Sequence, residues 1–575
     1  MMNTELNGIL ACLLATILLA IPLGRYIARF LKGERTWTDF LIPFETLIFR
    51  ICRIDPKREM NWKQHMVAML VINSIWFIYA FVILLLQKRL PLNPDGNPGM
   101  SPDLAFNTAI SFLVNCNLQH YAGETGVTYL SQLFVITFLQ FVSAATGIAA
   151  LAALFKAFAG KTTDKLGNFF FFLTRIVTRL LLPICLIIGV LLAFSGTPAS
   201  FAGKDNIVTL QGDSVQVSRG PAAGMIAIKH LGTNGGGWFG ANSAHPLENP
   251  TYFTNMVEII AQVLIPVALV FAFGYFTGRK KLALVIFGVM LLGTLTFLIP
   301  NILSETGPNP VLSRFHIADT HAMEGKEVRL GATAAAYWQV MTTIISTGSV
   351  NSMHDSAMPL SGAIQLLGMM TNCFFGGVGV GFLNYFIFLI IAVFIASMMV
   401  GRTPEFMGRK IDAREIKIAS IIALLHPLII LSGAALSSWY MVHHGNAPWA
   451  VPPSAWLNNG GSHGFSEMLY EYTSSAANNG SGFEGLNDNN IFWNVTTGFV
   501  LLLGRFLPII GPVAIAGILG AKKVVPASAG TLPTDTATFG IMTYIVIMIL
   551  AALAFLPALA LGPFAEYFQL TTTIH

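Results

Sequence analysis

Four short clusters of Gly, Asn, Ser and Thr interrupt an otherwise apolar chain. They read NCN from Asn115, GTNGGG from Gly232, TGSVNS from Thr347 and NNGSG from Asn478. Backbone carbonyls and neutral side-chain oxygens can replace the hydration shell of a monovalent cation, and they do not trap the ion as a carboxylate would. Glycine allows the unusual backbone dihedral angles that such close approach requires. These residue types predict a site for a dehydrated monovalent cation.

The rest of the chain has the composition of an integral membrane protein. Of its 575 residues, 54% are hydrophobic and only 11% are charged. About 20 consecutive apolar residues are needed to cross a bilayer. Apolar segments of that kind predict an all-α integral membrane protein with about ten transmembrane helices, at residues 8–24, 66–86, 129–155, 171–194, 253–276, 281–300, 379–400, 416–440, 491–518 and 541–562.

Each polar cluster follows an apolar or amphipathic run that is too short to span a bilayer. These runs are residues 103–114, 221–231, 332–346 and 465–477. A helix of 12 residues is about 18 Å long, which reaches from the outer surface to about mid-bilayer. Non-helical backbone at that depth must be buried in protein or line a cavity. The pattern predicts four re-entrant pore loops in fourfold pseudo-symmetry; ordinary outer loops with surface helices are the alternative.

A fourfold repeat of helix, pore helix, polar loop and helix divides the chain into six segments. Residues 1–65 form an N-terminal transmembrane helix and a cytoplasmic loop, and residues 521–575 form a C-terminal transmembrane helix. The four repeats between them are residues 66–165, 166–278, 279–412 and 413–520. Residues 361–377 are apolar too, but a span there would place the basic segment 401–417 outside, so we expect them not to cross the membrane.

Most Lys and Arg residues lie in alternate connecting segments, namely 25–65, 156–165, 279–281, 401–417 and 519–540. The positive-inside rule places these segments in the cytoplasm. No positive charge precedes the first apolar segment, as it would in a signal peptide, so we expect a retained helix. The chain is therefore predicted to be multi-pass, with both termini extracytoplasmic and the polar clusters on the outer side.

Several segments resemble the KdpA family, the potassium-binding subunits of bacterial Kdp potassium-transporting ATPases. They are KHLGTNGGGWFGANSAHPLENPT (229–251), STGSVNSMHDSAMPLSG (346–362), FGGVGVGFLNY (375–385), VGRTPEFMGRKI (400–411) and AANNGSGFEGLN (476–487). The resemblance implies high-affinity K⁺ uptake across the bacterial inner membrane. The ion would pass through an intramembrane tunnel to the P-type ATPase subunit KdpB, assisted by the single-span subunits KdpC and KdpF. Membrane lipid is then expected around the chain, and nucleic acid is not an expected partner.

The resemblance also locates the selectivity filter. It places one filter residue in each repeat, at Asn115, Gly232, Gly348 and Gly480. The neighbouring filter residues are Val114, Cys116, Thr233, Asn234, Thr347, Ser349, Asn479 and Ser481. Cys116 stands where many relatives have a small hydroxyl residue. Gln119 matches a position near the ion entry, and a loop-stabilising amide is its alternative role.

Arg505 is a positive charge within an apolar run, LLLGRFLPII. A charge at that depth is costly unless it faces a cavity or a partner. The resemblance implies a position below the filter, where the charge would repel a cation from leaking straight to the cytoplasm and favour a sideways exit. A pair with a backbone carbonyl, or snorkelling to the interface, is the alternative.

The chain is not expected to use ATP or to carry catalytic residues. The GKT sequence at 160–162 lacks the upstream glycine of a phosphate-binding loop, because Phe155 stands there. Asp164 begins DKLG, in which Leu replaces the Thr of a P-type phosphorylation motif. No HxxxH or His/Cys spacing indicates a transition-metal site.

Two other functions share part of this pattern. A stand-alone potassium channel or transporter of the Trk or Ktr type would have the same fourfold filter, but it should lack segments such as GRTPEFMGRKI. A proton-pumping respiratory subunit would need several buried Lys and Glu residues along its helices. Too few charged residues come near the predicted spans for such a proton relay.

Overall fold

The computed structural model describes residues 2–160, 162–317, 322–447, 451–526 and 532–572. Lys161 of the GKT sequence lies outside these residues. Within them, ten helices are long and apolar enough to cross a membrane, which confirms the predicted number and the helical class. They are Glu5–Lys32, Trp62–Arg89, Ser131–Ala159, Phe169–Phe194, Tyr252–Thr277, Lys280–Thr306, Val380–Val400, Ala413–His444, Ile491–Gly520 and Ala537–Leu561.

Several spanning helices begin at residues whose side chains cap the first turn. Asn61 and Gln64 form a capping box at the start of the second span, and Thr251 and Thr254 form one at the fifth. Such boxes satisfy backbone N–H groups that have no partner within the helix. The second helix therefore begins at Trp62, ahead of the predicted stretch 66–86, and the fifth begins at Tyr252, directly before the predicted stretch 253–276.

Four short helices lie between spanning helices, where the runs before the polar clusters predicted them. In chain order, short helices 1 to 4 are Pro102–Leu113, Ala223–Leu231, Ala332–Ile344 and Gly461–Ala477. Most of their residues are buried on every side, polar ones included. A helix lying on an outer surface would keep one face exposed. The four are therefore packed within the protein, and their entry into the bilayer from outside stays a prediction.

Residues 361–377 do not form a spanning helix, as predicted. A short buried helix, Pro359–Thr371, is followed by a turn that leads into the span Val380–Val400. In that turn, a side chain at Gly379 would collide with the backbone of Gly147 in the third span. The glycines of FGGVGVG thus allow close packing of backbones, as small residues do between membrane helices.

The remaining elements are small. Two antiparallel hairpins pair Asp205–Val208 with Ser214–Val217 and Glu405–Phe406 with Arg409–Lys410. A C-terminal helix, Pro563–Thr572, follows the last span. The apolar pattern predicted none of these three features, because each is polar or short. The order of the long and short helices agrees with four repeats, whose boundaries stay a prediction.

Candidate functional site

The polar loops after the short helices meet in a closed ring. We number them loops 1 to 4 in chain order, residues 114–119, 232–237, 346–352 and 478–482. The Asn115 side-chain amide in loop 1 donates to the carbonyls of Gly232 and Thr233 in loop 2, at 3.0 Å each. At each of the other three contacts between neighbouring loops, a glycine packs against a backbone carbonyl of the next loop. A side chain at that glycine would collide with the carbonyl. The pairs are Gly235 with Thr347, Gly348 with Asn479, and Gly480 with Cys116.

Each short helix ends in the same turn. The backbone N–H of one loop residue donates to the carbonyl five residues earlier, and the residue before it has a left-handed backbone, as in a Schellman motif. The donors are Cys116, Asn234, Thr347 and Asn479. The left-handed residues are Asn115, Thr233, Ser346 and Asn478, with φ of 64°, 48°, 52° and 51°. This common turn aligns the four loops residue by residue.

A second left-handed residue follows two positions later in every loop. These residues are Asn117, Gly235, Gly348 and Gly480, with φ of 59°, 91°, 83° and 105°. The repeated geometry is what fourfold pseudo-symmetry requires. The residues predicted as one per repeat are therefore not equivalent, since Asn115 and Gly232 lie earlier in their loops than Gly348 and Gly480 do in theirs. Asn117 and Gly235 are the matching positions, and the sequence analysis missed both.

The ring lies inside the protein and keeps some backbone oxygens free. The side chains of Val114, Asn115 and Cys116 are at most 2% exposed, and most residues of the other three loops are buried, with Gly480 and Gly482 in loop 4 partly exposed. Within the described residues, four carbonyls at equivalent positions accept no hydrogen bond: those of Cys116, Asn234, Thr347 and Asn479. A buried carbonyl without a donor is costly unless another ligand satisfies it. Backbone oxygens of this kind suit a dehydrated cation.

Comparison with known families decides the family of the chain. The family model described as KdpA, potassium-transporting ATPase A subunit, matches residues 10–568. The chain belongs to the KdpA family. Its relatives include the potassium-transporting ATPase potassium-binding subunits of Flavobacterium johnsoniae, Bacteroides thetaiotaomicron and Alicyclobacillus acidocaldarius, at 62%, 58% and 48% identity. These alignments cover 99%, 99% and 98% of this KdpA-family chain and 100% of each relative.

Among solved structures, the KdpA-family chain is similar to the potassium transporter TrkH from Vibrio parahaemolyticus. The TM-score is 0.49 at 14% sequence identity, and the match covers 86% of this chain and 96% of that one. A likeness at this level carries no functional argument.

Several side chains of the predicted filter hold the loops together, and their predicted role as ligands of the ion stays a prediction. Asn115 Oδ1 accepts from Ser143 Oγ at 3.0 Å and from Asn234 Nδ2 at 2.7 Å. Asn479 Nδ2 donates to the Thr342 carbonyl at 2.7 Å, and Asn479 Oδ1 accepts from Ser481 Oγ at 2.6 Å. These bonds fix the loop backbones. In the described residues Asn234 Oδ1 and Thr347 Oγ1 have no hydrogen-bond partner, so side-chain oxygens stay available beside the carbonyls.

Thr233 shows strain at the ring. A β-branched residue rarely adopts a positive φ, and its φ of 48° costs free energy that neighbouring structure must offset. Its hydroxyl accepts a hydrogen bond of 3.0 Å from the backbone N–H of Val378, in the glycine-rich turn before the seventh span. Trp338 supports loop 3 similarly, since its indole N–H donates to the Ser349 carbonyl at 2.6 Å.

Gln119 cross-links loops 1 and 2 of this KdpA-family chain. Its side-chain amide donates to the Gly237 carbonyl at 3.1 Å and accepts from the Gly237 N–H at 2.8 Å. This is the loop-stabilising contact that was the alternative to an entry role. The pairing does not exclude contact with an arriving ion, so the entry role stays a prediction.

Arg505 contacts both a backbone carbonyl and a cavity next to the ring. Its Nη2 donates to the Ser143 carbonyl at 2.9 Å. The cavity is lined also by Asn115, Ser346 and Asn478. In the described part of the chain no carboxylate pairs with Arg505. The guanidinium therefore presents an uncompensated positive charge beside loops 1, 3 and 4.

Buried charged pairs behind the loops were not found from the sequence. Lys229, on short helix 2, forms a fully buried ion pair with Glu248 and donates to Asn242 Oδ1 at 2.7 Å. Lys326 pairs with Glu305 at 2.7 Å. Lys229, a lysine in an otherwise apolar helix, was a sign in the sequence that such a pair exists. Local sequence patterns could not identify Glu248 as its partner.

Proposed function

We propose that the chain selects K⁺ at the ring of four loops and delivers it to the ATP-hydrolysing subunit of a potassium-transporting ATPase. Family membership and the names of the relatives support the potassium-binding role. The single observation that carries the proposal is the set of equivalent buried carbonyls in the ring, which have no hydrogen-bond donor. ATP hydrolysis takes place in another subunit, so this chain acts as the non-catalytic part of the complex.

The ring has the physical properties of a selective K⁺ site. Carbonyl dipoles stabilise a bare monovalent cation, and the negative ends of the four short helices add to the same potential. The hydrogen bonds between loops 1 and 2, and the close glycine–carbonyl packing at the other three contacts, hold the oxygens at fixed separations. The proposed filter comprises the twelve residues predicted from the family resemblance, with Asn117 and Gly235 added because they share the backbone geometry of Gly348 and Gly480.

The surrounding assembly follows from the family. We place the chain in the bacterial inner membrane, with both termini on the extracytoplasmic side. The four short helices enter the bilayer from that same side. KdpB is the proposed ATPase partner, with KdpC and KdpF as single-span subunits. The proposed division of labour leaves nucleotide binding to the partner, and Arg505 below the ring turns the ion toward a lateral tunnel rather than the cytoplasm.

A stand-alone Trk or Ktr type transporter is the alternative that shares the filter plan. The family match over almost the whole chain favours an ATPase subunit. Purification of the chain from its native membrane distinguishes the two, because a Kdp-type chain retains an ATPase subunit through size-exclusion chromatography and a stand-alone transporter does not.

Substitution at the ring tests the proposal. A side chain in Gly235→Ala would collide with the Thr347 carbonyl and would have to adopt a positive φ of 91°. We expect the K⁺ concentration for half-maximal ATPase activity of the purified complex to rise at least tenfold, which corresponds to about 1.4 kcal/mol. Gly224→Ala, on short helix 2, is the matched control, since an added Cβ there meets nothing within 4 Å. An unchanged K⁺ dependence in Gly235→Ala contradicts the proposal.

A further inference from the structure

A cluster of one histidine and several carboxylates lies apart from the filter ring. His463 and Glu467 are on the first turns of short helix 4, Asp355 follows loop 3, and Glu566 is on the C-terminal helix. His463 Nε2 lies 3.0 Å from Asp355 Oδ1, and Nδ1 lies 2.9 Å from Glu566 Oε1. One ligand atom from each of Asp355, His463 and Glu467 lies within 4.8 Å of the other two.

The carboxyl groups of the cluster have one basic partner between them. Asp355 and Glu566 contact the imidazole of His463 directly. Glu484 joins the cluster through Asp355, because its Oε2 accepts from the Asp355 N–H at 3.4 Å. No Lys or Arg pairs with any of these carboxyl groups among the residues that the structure describes. Carboxylate oxygens gathered beside one imidazole are ligands that a divalent cation can use.

Glu467 supplies a free ligand atom. The residue is fully buried, and its Oε1 accepts from Asn459 Nδ2 at 2.9 Å. Its Oε2 is buried and has no hydrogen-bond partner in the described part of the chain. A buried carboxylate oxygen left unpaired costs free energy, so such an atom is normally satisfied by a donor or a metal.

Gly485 keeps the space between the carboxylates open. A side chain there would collide with Glu467 Oε1, and its Cβ would lie 2.7 Å from Asp355 Oδ2. Ligand atoms of a tetrahedral zinc site lie about 3.3 Å apart when the bonds are about 2.0 Å long. The three ligand atoms of Asp355, His463 and Glu467, which lie within 4.8 Å of one another, would have to move closer together to bind such an ion.

His463 is oriented as a metal ligand. When its Nδ1–H donates to Glu566, the neutral ring directs the Nε2 lone pair toward Asp355 and Glu467. A carboxylate on the far nitrogen of a ligating histidine is a general feature of metal sites, because it fixes the tautomer and the ring orientation. Binding would release the Nε2 proton to solvent.

We propose that Asp355, His463 and Glu467 form a binding site for a divalent transition-metal cation, with Zn²⁺ as the best match. One imidazole and two carboxylates are a ligand set that zinc accepts, whereas Ca²⁺ and Mg²⁺ prefer oxygen ligands alone. The site joins the segment after loop 3 to short helix 4 and, through Glu566, to the C-terminal helix. Bound metal would cross-link these elements, which goes beyond the proposed potassium function.

A second histidine cluster serves as an internal comparison. His120 Nδ1 bonds to Asn494 Oδ1 at 2.6 Å, and Nε2 lies 3.2 Å from Glu471 and 3.7 Å from Asp488. Among the described residues, no buried carboxylate oxygen of this cluster lacks a partner. We therefore interpret it as an ion pair with its hydrogen bonds satisfied.

Zinc binding to the whole purified complex tests the proposal. After treatment with a chelator, wild type and variants are titrated with Zn²⁺ alone by equilibrium dialysis. We expect wild type to bind one more zinc ion per chain than Glu467→Gln or His463→Gln at low micromolar zinc. Asp488→Asn, in the His120 cluster, is the matched control and should bind as wild type does. Zinc should also raise the thermal midpoint of wild type more than that of either variant.

Equal zinc stoichiometry in wild type and both variants overturns the site. Loss of the extra zinc ion in Asp488→Asn alone would also overturn the site. Saturation of wild type by Ca²⁺ as readily as by Zn²⁺ would overturn it too. Size-exclusion chromatography shows whether each variant assembles. If neither variant assembles, zinc binding is measured in Gly485→Ala instead. Its added methyl group would fill the space between the carboxylates and should abolish zinc binding. The K⁺ dependence of ATPase activity is measured separately, without zinc. A failure of the potassium-filter proposal can then be distinguished from a failure of the zinc proposal.

Discussion

Left-handed backbone at matching positions is the residue-level feature on which the ring of four loops depends. Glycine supplies it in three loops, and Asn117 supplies it in loop 1 with φ of 59°. Asparagine is among the side chains that tolerate this region best, so the departure from glycine does not break the pattern. Each of the three glycines also lets the next loop's carbonyl approach within a distance that no side chain would allow.

Arg505 provides a test at the same scale. We expect Arg505→Ala to lower the ratio of transported K⁺ to hydrolysed ATP to about half or less, because the ion would no longer be repelled from a direct path to the cytoplasm. The ratio is measured in reconstituted vesicles with radioactive tracer and phosphate release. Arg505→Lys retains the charge and should keep most of the coupling. A ratio in Arg505→Ala equal to that of wild type means that the bond to the Ser143 carbonyl is the residue's whole role.

At the scale of elements, buried ion pairs fix the loops to the helices that carry them. Lys229 on short helix 2 reaches across to Glu248, whose Oε1 also accepts the N–H of Phe239 at 2.9 Å. The pair therefore ties the start of loop 2 to the chain that follows it. Lys326 and Glu305 join the segment before short helix 3 to the sixth span, and Glu305 also accepts from the N–H of Met358, after loop 3, at 2.9 Å.

Removing one member of such a buried pair should strongly destabilise the folded protein. We expect Lys229→Met to lower the free energy of unfolding by about 3–5 kcal/mol, because Glu248 would be left as an uncompensated buried charge. Chemical unfolding of the detergent-solubilised complex, followed by intrinsic fluorescence, measures the change. Adding Glu248→Gln should recover part of the loss.

The exposed pair of Lys156 and Glu59, 3.1 Å apart, gives the matched control. Glu59→Gln should cost less than about 1 kcal/mol, because solvent screens both charges. A similar loss in Lys229→Met and Glu59→Gln would mean that the buried pair does not hold loop 2.

At the scale of the whole molecule, the ring closes only when loop 1 and loop 4 meet. Gly480 of loop 4 packs against the Cys116 carbonyl of loop 1, and His120 bonds to Glu471 on short helix 4. Burial by itself lowers the pKa of His120, but Asp488 and the hydrogen bond to Glu471 outweigh it and raise this pKa to about 9. The protonated imidazole thus links the segment after loop 1 to short helix 4, which is far away in sequence.

This link predicts a pH dependence of stability. The folded-state pKa of His120 lies above its ordinary value of 6.5, so its contribution is complete below about pH 6.5 and is lost as pH rises through about 9. We expect the thermal midpoint of the complex to fall over this interval, and His120→Gln to reduce the fall. His443→Gln, at an exposed helix end, should behave as wild type does. If wild type and His120→Gln show the same pH profile, the imidazole does not carry the link.

The sequence by itself determined the membrane class, the ten spans, the four short helices and the approximate place of each polar loop. Length and hydropathy are local properties, and a bilayer imposes them on each segment separately. The family resemblance added the expected K⁺ role and the neighbourhood of the filter residues.

Only the tertiary structure decided which loop residues are equivalent and which distant side chains meet. In GTNGGG, three consecutive glycines give no local sign that Gly235 is the one set against Thr347. Asp355 and His463, or Lys229 and Glu248, are brought together by helix packing, which spacing in the chain does not record. The physical reason is that burying a carbonyl or a charge is tolerated only when its partner is present, and most of these partners come from other parts of the chain.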